Sequence, residues 1–200
     1  MKIGIVGSGH IGGNLARLFA RAGHEVMMSS RHPERLADEA AEIGARTGSI
    51  ADASAFGDVV VFSVPWSGIE EATSTMTGAA GKIVVDTTNP YGPNGPLDLG
   101  DDTSSEIVAR LLPDVRIVKA FNTIHFADLA SQGKDPRDGR RAIPIAGDDP
   151  GAKDTVSRLI DEIGFEPVDT GSLRVGGRKQ EPGAPVYNSN MTADEVRNVL

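Results

Sequence analysis

Three glycines near the start of the chain stand at a spacing that brings the backbone close to a ligand. Gly7, Gly9 and Gly12 form a G-x-G-x-x-G pattern directly after an apolar run and at the start of a helical pattern. The first glycine permits a tight turn, the second lets the backbone approach a pyrophosphate, and the third allows the helix to pack against the strand. The helix N-terminus adds free N–H groups and a partial positive charge. We expect dinucleotide phosphates to bind this loop, with a turn that has lost its ligand as the alternative. The predicted binding residues are Gly7, Ser8, Gly9, His10, Ile11 and Gly12.

The stretch VMMSSRHPER, residues 26–35, ends the second apolar run. A chain that binds NAD usually carries an acid here for the ribose 2′-hydroxyl. This chain instead offers Ser29 and Ser30, then Arg31, and Arg35 one helical turn later. Hydroxyls and guanidiniums bind a 2′-phosphate, which a carboxylate would repel. The stretch therefore predicts NADP(H) rather than NAD(H), with a solvated charged turn as the alternative.

The remaining ends of the predicted strands carry amides, hydroxyls and apolar side chains. Ligands lie across the carboxyl ends of the strands in an open parallel sheet. We therefore expect the nicotinamide and its reaction partner near these ends. The residues concerned are Ser63, Val64, Pro65 and Trp66, then Asn89 and Pro90, and finally Asn122, Thr123 and Ile124.

None of these positions forms a set of catalytic side chains. Neither Tyr91 nor Tyr187 has a lysine four residues on, and Lys119 is either a proton donor or a structural residue. Trp66 either walls the ring site or packs in the core. We therefore assign no catalytic residue. Hydride exchange between nicotinamide and a flat, flavin-like ring needs mostly proximity and alignment, and it is the chemistry that such a site favours.

Apolar runs alternate with helical patterns along the chain. Strands separated by helices indicate βαβ units. We predict an α/β fold of the Rossmann type, with a doubly wound, mostly parallel sheet and helices on both faces. Residues 1–173 form the predicted NADP-binding domain. Residues 174–200 form a tail with a short helix that begins with a capping box of Thr192 and Glu195, and this tail belongs to the same domain or makes a dimer contact. The predicted strands are 2–7, 25–30, 58–65, 82–90, 115–122, 140–147 and 166–171, and the predicted helices are 10–22, 33–44 and 151–163.

The composition excludes several classes of protein. The chain of 200 residues has a formal net charge of −8, no block of basic residues and no cysteine. We therefore expect no nucleic-acid partner, no disulfide and no metal site built on thiolates. No apolar run approaches the roughly 18 residues of a membrane span. We expect a cytoplasmic protein with a small-molecule redox substrate.

Several motifs, taken in order, resemble a known family over about residues 1–173. They are GSGHIGGNLARLFARAGHEV, SSRHPERL, SVPW, VKAFNTI, AGDD and VDTGSL. This combination resembles the NADPH-dependent reductases of the deazaflavin coenzyme F420 and their bacterial relatives. The resemblance implies a Rossmann domain, often dimeric, that transfers hydride directly between NADP(H) and the deazaflavin.

The same resemblance implies roles for individual residues. Ser30, Arg31 and Arg35 would hold the 2′-phosphate, residues 63–66 would line the nicotinamide, and residues 122–124 would border the deazaflavin pocket. The polar end of the chain departs from the apolar helices of the archaeal-type members. The alternatives that stay open are a reductase of a flavin, a quinone or a metal chelate, and a non-catalytic NADP(H) sensor.

Overall fold

The computed structural model describes residues 1–134 and 139–200. The strands in these residues are numbered along the chain. They are β1 (Lys2–Val6), β2 (Glu25–Ser29), β3 (Arg46–Gly48), β4 (Val59–Phe62), β5 (Ile83–Asp86), β6 (Tyr91–Gly92), β7 (Gly95–Pro96), β8 (Arg116–Lys119), β9 (Ala142–Gly147) and β10 (Glu166–Asp169).

The helices are numbered in the same way. They are α1 (His10–Arg21), α2 (Ala37–Ile43), α3 (Ile50–Phe56), α4 (Ile69–Thr75), α5 (Ser104–Leu111), α6 (Phe126–Ser131), α7 (Pro150–Glu162), α8 (Val175–Arg178) and α9 (Ala193–Val199). Single turns of 3-10 helix at Pro33–Leu36 and Trp66–Gly68 precede α2 and α4.

One mostly parallel sheet organises the molecule. Its strand order is β10-β9-β8-β5-β4-β1-β2-β3 in the described residues. Strand β1 lies inside the sheet, third from the β3 edge, where Ile5 pairs with Met28 of β2 and with Val61 of β4, and both neighbours are parallel to it. Strand β9 runs antiparallel to β8, and β10 runs parallel to β9. This is the doubly wound α/β arrangement of a Rossmann fold, and it confirms the predicted fold class.

Both faces of the sheet are covered, because alternate residues of each strand point to opposite sides. Val59 and Val61 belong to the cluster that packs on α1, α6 and α7, whereas Val60 and Phe62 pack on α4 and α5. A strand buried on both faces reads as a continuous apolar run, which is why DVVVFSVP predicted β4.

The helix predicted over 33–44 differs from the structure at its start. It begins as the 3-10 turn Pro33–Leu36 and continues as α2, and Gly44 ends it in the left-handed conformation with φ of 69°. The short elements β3, α3, α5 and α6 are absent from the sequence prediction. Each of these spans eight residues or fewer, so its hydrophobic period repeats too few times to stand out.

The C-terminal tail, residues 174–200, packs against the β9–β10 edge of the sheet. Val186 and Val196 form a small buried cluster with Ala142 and Val168. Helix α9 begins with the predicted capping box, in which the Thr192 side chain accepts from the N–H of Glu195. No helix in the described ranges is both long enough and apolar enough to cross a membrane.

Candidate functional site

A cleft of about 730 Å³ opens at the carboxyl ends of β1, β2 and β4. It lies at the topological switch point, where the chain turns from β2 and β3 on one side of β1 to β4 on the other. Its volume is in the range of a small-molecule or cofactor site. The lining includes Gly7, Ser8, Gly9, Ser30, Arg31 and Ser63–Pro65, together with the first turn of α3 and one side of α4 with the turn before it.

The three glycines of the fingerprint have three different surroundings. Gly7 has φ of 92°, and a Cβ on it would lie 2.4 Å from Ser63 O. A Cβ on Gly12 would lie 2.0 Å from Gly7 O, so only glycine lets α1 pack this closely on the turn. A Cβ on Gly9 would meet no atom within 4 Å, so its side-chain position is open space beside the cleft.

The start of α1 fits the diphosphate of a dinucleotide. Gly9 is the N-cap and gives the helix no side-chain hydrogen bond, and the first turn carries no acid. The first N–H groups of a helix need acceptors from outside it, and they favour negative charge. Ile11 packs partly buried against the core cluster on this side of the sheet.

The two serines at the end of β2 have different surroundings. Ser29 is 0% exposed, and its hydroxyl donates to Ile5 O at 2.8 Å. The prediction that the Ser29 hydroxyl binds a ligand is therefore wrong, because this buried hydroxyl donates its only proton to Ile5 O of strand β1. Ser30 is partly exposed and lines the cleft. Its hydroxyl oxygen accepts from the N–H of His32 at 3.0 Å, which leaves its proton available.

The two arginines also differ in position. Arg31 is exposed and lines the cleft beside Ser30. Arg35 is exposed on the 3-10 turn but is not among the residues that line the cleft. His32 lies 3.4 Å from Glu34, so an acid shares this turn with the cations. Of the cations predicted for this stretch, the structure places Arg31 at the cleft.

Residue His10 makes its side-chain contacts away from the cleft. Its ring stacks on Phe126 with the centroids 4.3 Å apart, and Asn14 Nδ2 donates to Phe126 O at 2.7 Å. These contacts join the start of α1 to the start of α6. The side chain of Trp66 is half-buried against the core cluster that contains Val60 and Phe62. Trp66 therefore packs on the core with part of its surface, and the rest stays exposed.

The predicted residues after β5 and β8 meet through their amides. Asn89 Nδ2 donates to Asn122 O at 2.8 Å, and Asn122 Nδ2 donates to Asn89 Oδ1 at 3.1 Å. Asn89 is partly exposed, whereas Pro90, Asn122 and Thr123 are buried. Ile124 is also buried and belongs to the main core cluster.

A buried ion pair lies directly beneath this amide pair. Lys119 Nζ is 3.1 Å from Asp86 Oδ2 and 2.9 Å from Ser104 Oγ, and it also donates to Thr88 O. The other oxygen of Asp86, Oδ1, accepts from the N–H and the hydroxyl of Thr88 at 2.9 and 2.7 Å. The Lys119 side chain is 1% exposed. Its role is therefore structural, because all its protons have acceptors and no substrate can reach it.

Two residues of the C-terminal tail reach the same strand ends, and the sequence prediction did not assign them. Gln180 O accepts from Asn122 Nδ2 at 2.8 Å, and the Tyr187 hydroxyl lies 3.1 Å from that of Tyr91. Burial and the hydrogen bond to Tyr91 raise the pKa of Tyr187, so this phenol stays protonated at neutral pH. An isolated glutamine in a polar tail carries no sequence signal for such a contact.

The described residues include no group of three or more His, Cys, Asp or Glu side chains that could hold a metal ion. The chemical groups at the cleft are therefore backbone N–H groups, hydroxyls, one guanidinium and the Glu71 carboxylate. The groups at the ends of β5 and β8 are amides and phenols.

Comparison with known proteins gives consistent matches along the chain. Residues 2–90 match the model of the family described as NADP oxidoreductase, coenzyme F420-dependent. The chain is 30% identical over 220 residues to the F420-dependent NADP reductase of Methanothermobacter marburgensis, and the match covers 99% of this chain and 96% of that protein.

The chain is also 34% identical over 172 residues to metalloreductase STEAP3 of Rattus norvegicus. This match covers 86% of the chain but 34% of that protein, so the chain spans about a third of the length of the metalloreductases that it matches. Among solved structures, the hypothetical protein SMa0349 from Sinorhizobium meliloti superimposes with a TM-score of 0.87 at 34% identity, covering 96% of this chain and 95% of that one.

Proposed function

The chain belongs to the family of coenzyme F420-dependent NADP oxidoreductases, and from this premise we propose that it transfers hydride between NADP(H) and the ring of a deazaflavin or a related flavin. When bound, the nicotinamide supplies the hydride chemistry. The protein binds the two rings, aligns them and keeps water from between them. The cleft with the glycine loop is built on residues 1–173, and the tail, residues 174–200, adds contacts to the ends of β5 and β8 within the same domain.

The observation that carries this proposal is the position of Arg31. It lies with Ser30 on the lining of the same cleft as Gly7 and Gly9. An adenosine ribose placed beyond the glycine turn would therefore present its 2′-phosphate to a guanidinium and a hydroxyl. Both donate to phosphate oxygens, and neither repels them. Ser29 does not bind the phosphate but holds the end of β2 against β1 through its hydrogen bond to Ile5 O. Arg35, outside the cleft lining, attracts the phosphate at longer range.

The polar residues at the ends of β5 and β8 form what we call the acceptor end of the site, because the proposal places the hydride acceptor there. Their chemistry supports a flat ring as the second substrate. No hydrogen bond joins a lysine to Tyr91 or Tyr187 in the described residues; the two hydroxyls bind each other, so no lysine–tyrosine pair is set up there to deliver a proton. A ketone needs such a donor beside the incoming hydride. A deazaflavin or flavin ring takes one hydride at its centre and one proton from solvent, so alignment is what the protein has to supply. Residues 63–66 and 122–124 border this region.

A direct assay tests the proposal. The protein is mixed anaerobically with NADPH and oxidised deazaflavin, and the absorbances of both are followed. We expect both to be consumed in a one-to-one ratio, with much slower turnover when NADH replaces NADPH. The proposal is wrong if the protein oxidises no NADPH with the deazaflavin or with free flavin.

The match to a metalloreductase favours a second candidate function. In this function the chain uses NADPH to reduce a flavin, and the reduced flavin passes electrons to a ferric chelate. The same assay with a ferric chelate, with and without added flavin, separates the two. Reduction of the chelate that depends on flavin, together with no reaction of the deazaflavin, would establish the second candidate.

The family resemblance supports a homodimer. Tyr91 and Leu97 on the β6–β7 hairpin each expose 44% of their surface next to the acceptor end. A second subunit placed there would cover the acceptor. Sedimentation at assay concentration tests this assignment, and a monomer with full turnover would contradict it.

A further inference from the structure

The C-terminal tail contributes a buried amide to the acceptor end of the site. Gln180 is 0% exposed and lies between the ends of β9 and β10 and the loop after β8. With the amide oriented so that its atoms face complementary partners, the nitrogen donates to Asn122 Oδ1 at 3.1 Å and to Pro144 O at 3.2 Å, and the oxygen lies 2.9 Å from Thr170 Oγ1 and 3.3 Å from the N–H of Ala146. Its backbone oxygen accepts from Asn122 Nδ2 at 2.8 Å. Gln180 therefore holds both ends of the Asn122 amide.

The hydrogen bonds that fix the Asn122 amide continue to Asn89, which is partly exposed. Asn122 Nδ2 also donates to Asn89 Oδ1, while Asn89 Nδ2 donates to Asn122 O. Exchange of O and N in either asparagine would set acceptor against acceptor and donor against donor. Three carboxamides thus form one network with a single orientation, which runs from the buried Gln180 to Asn89 at the surface of the site.

The backbone around this network is also constrained by the tail. Phe121, which precedes Asn122, has φ of 62°, in the left-handed region that favours glycine. Asn188 of the tail has φ of 52°, and its N–H donates to Thr123 O at 3.0 Å. Non-glycine residues keep such conformations only where their surroundings hold them, and they cluster at functional sites. The tail therefore holds residues 121–123 at two points.

We propose that Gln180 is a positioning residue for hydride transfer: through Asn122 it fixes the amide of Asn89 that orients the rings at the acceptor end. This inference rests on the proposed function, which places the nicotinamide and the acceptor beside Asn89. Gln180 touches neither ring. Its loss leaves Asn122 free to rotate, so that Asn89 no longer presents a defined donor and acceptor. Hydride transfer is sensitive to such a change because it requires the reacting atoms to be aligned at close range.

The test compares Gln180→Met with Gln132→Met. Gln132 is the control, because its partly exposed amide also makes a tertiary hydrogen bond, in which the oxygen accepts from Arg141 Nη1 at 2.9 Å, and it has no contact with the Asn89–Asn122 pair in the described residues. For each variant the measurements are the affinities for 2′,5′-ADP and for NADPH, the single-turnover rate with the acceptor, and the stereospecificity of transfer from NADPH deuterated at one face of C4.

Gln180→Met should leave the affinity for 2′,5′-ADP within about twofold, since that ligand reaches only the Arg31 end of the cleft. The single-turnover rate should fall by about 10- to 100-fold, the size expected for a misplacement of up to 1 Å, and stereospecificity should decrease. Gln132→Met should change neither. Equal losses of affinity for 2′,5′-ADP and NADPH, or an unchanged rate and stereospecificity, would overturn the proposal.

Gln180→Asn provides a second variant if the methionine variant does not fold. It keeps the amide but withdraws it by one methylene, and the same pattern is expected. The wild-type assay separates this inference from the proposed function. If the wild type fails to oxidise NADPH with every acceptor tested, the proposed function fails. The inference then stands only if Gln180→Asn weakens NADPH and spares 2′,5′-ADP, and equal effects on the two ligands overturn it.

Discussion

The two ends of the site are built in different ways. The donor end consists of the glycine loop and the stretch 29–35, and it offers backbone N–H groups, one hydroxyl and one guanidinium to an open cleft. The acceptor end consists of residues 86–91, 119–124 and 180–188, and its polar groups bind one another. The donor end is therefore open for a charged ligand, whereas the acceptor end is a rigid surface against which a flat ring can be aligned.

Because of this difference, the donor end should set the affinity for the cofactor, and the acceptor end should set the rate of hydride transfer. A phosphate needs free donors, so the residues that bind it carry few contacts with the rest of the protein. An aligned ring needs neighbours that do not move, so those residues are cross-linked by hydrogen bonds and by an ion pair. Substitutions at the donor end should therefore change binding, and substitutions at the acceptor end should change stability and rate.

The largest effect should come from Lys119→Met at the acceptor end. This change leaves the Asp86 carboxylate buried without its cation, and breaking a buried pair in this way costs about 3–5 kcal/mol of the free energy of unfolding. Urea unfolding followed by circular dichroism measures it. The double variant Lys119→Met/Asp86→Asn removes both charges and should recover more than half of the loss. A loss below about 1 kcal/mol in the single variant would contradict the importance of this pair.

Gly9→Val should affect the donor end in the opposite way. Gly9 has φ of −79° and ψ of −159°, which other residues adopt, and its Cβ position is open, so the melting temperature should change little. The new side chain fills the space through which the diphosphate approaches. Affinities for NADPH and NADH should both fall by about 100-fold, or about 2.7 kcal/mol, as measured by fluorescence titration.

Gly12→Ala is the contrasting control for Gly9→Val. Its Cβ would lie 2.0 Å from Gly7 O, so the backbone must move and stability must fall. Retention of NADPH binding by Gly9→Val would show that the cofactor passes elsewhere, and the two ends of the site would have to be reassigned.

Arg31→Ala should weaken NADPH selectively. Loss of a charged hydrogen-bonded contact costs about 1.5–3 kcal/mol, and NADH, which lacks the 2′-phosphate, should lose little. The ratio of the two dissociation constants is the measurement. An equal loss of affinity for both cofactors would mean that Arg31 does not bind the 2′-phosphate. Ser30, rather than the buried Ser29, is the position at which an introduced aspartate should shift preference toward NADH.

The smallest effect should come from Arg35→Ala. The family resemblance gives Arg35 the same role as Arg31, but the structure places it outside the cleft lining. An exposed charge outside the cleft should contribute below about 1 kcal/mol to the binding free energy of NADPH, and this contribution should decrease with added salt. A loss as large as that of Arg31→Ala would mean that the 3-10 turn moves when NADPH binds.

The sequence predicted the donor end well because its signals are local. Gly7 and Gly12 are required by close contacts with Ser63 and within the turn itself, Gly9 leaves open space beside the cleft, and the spacing of the three alone indicates that turn. The fold class followed from continuous apolar runs such as β4, which are buried on both faces. Ser29 was assigned incorrectly because its neighbour Ser30 has the same chemistry, and only the register of β2 on β1 shows which hydroxyl is used inside the sheet.

The acceptor end could be predicted only in part. Asn89 and Asn122 follow from their places after buried strands, but Gln180 lies 58 residues beyond Asn122 in a polar segment without periodicity. Lys119 and Asp86, 33 residues apart, were ambiguous for the same reason. A charged residue in an apolar strand indicates that it has a partner, but it does not indicate which one or whether water reaches it.

The sequence by itself determined the α/β fold and the glycine turn, and it predicted the chemical preference of the stretch after β2. These depend on glycine conformation, on hydrophobic period and on the charge of neighbouring residues, all of which act over a few positions. Tertiary structure alone decided that Ser29 is buried, that Arg31 rather than Arg35 lines the cleft, and that Lys119 is enclosed. It also brought the tail to the ends of β5 and β8, because parallel strands place their carboxyl ends at one edge whatever their separation along the chain.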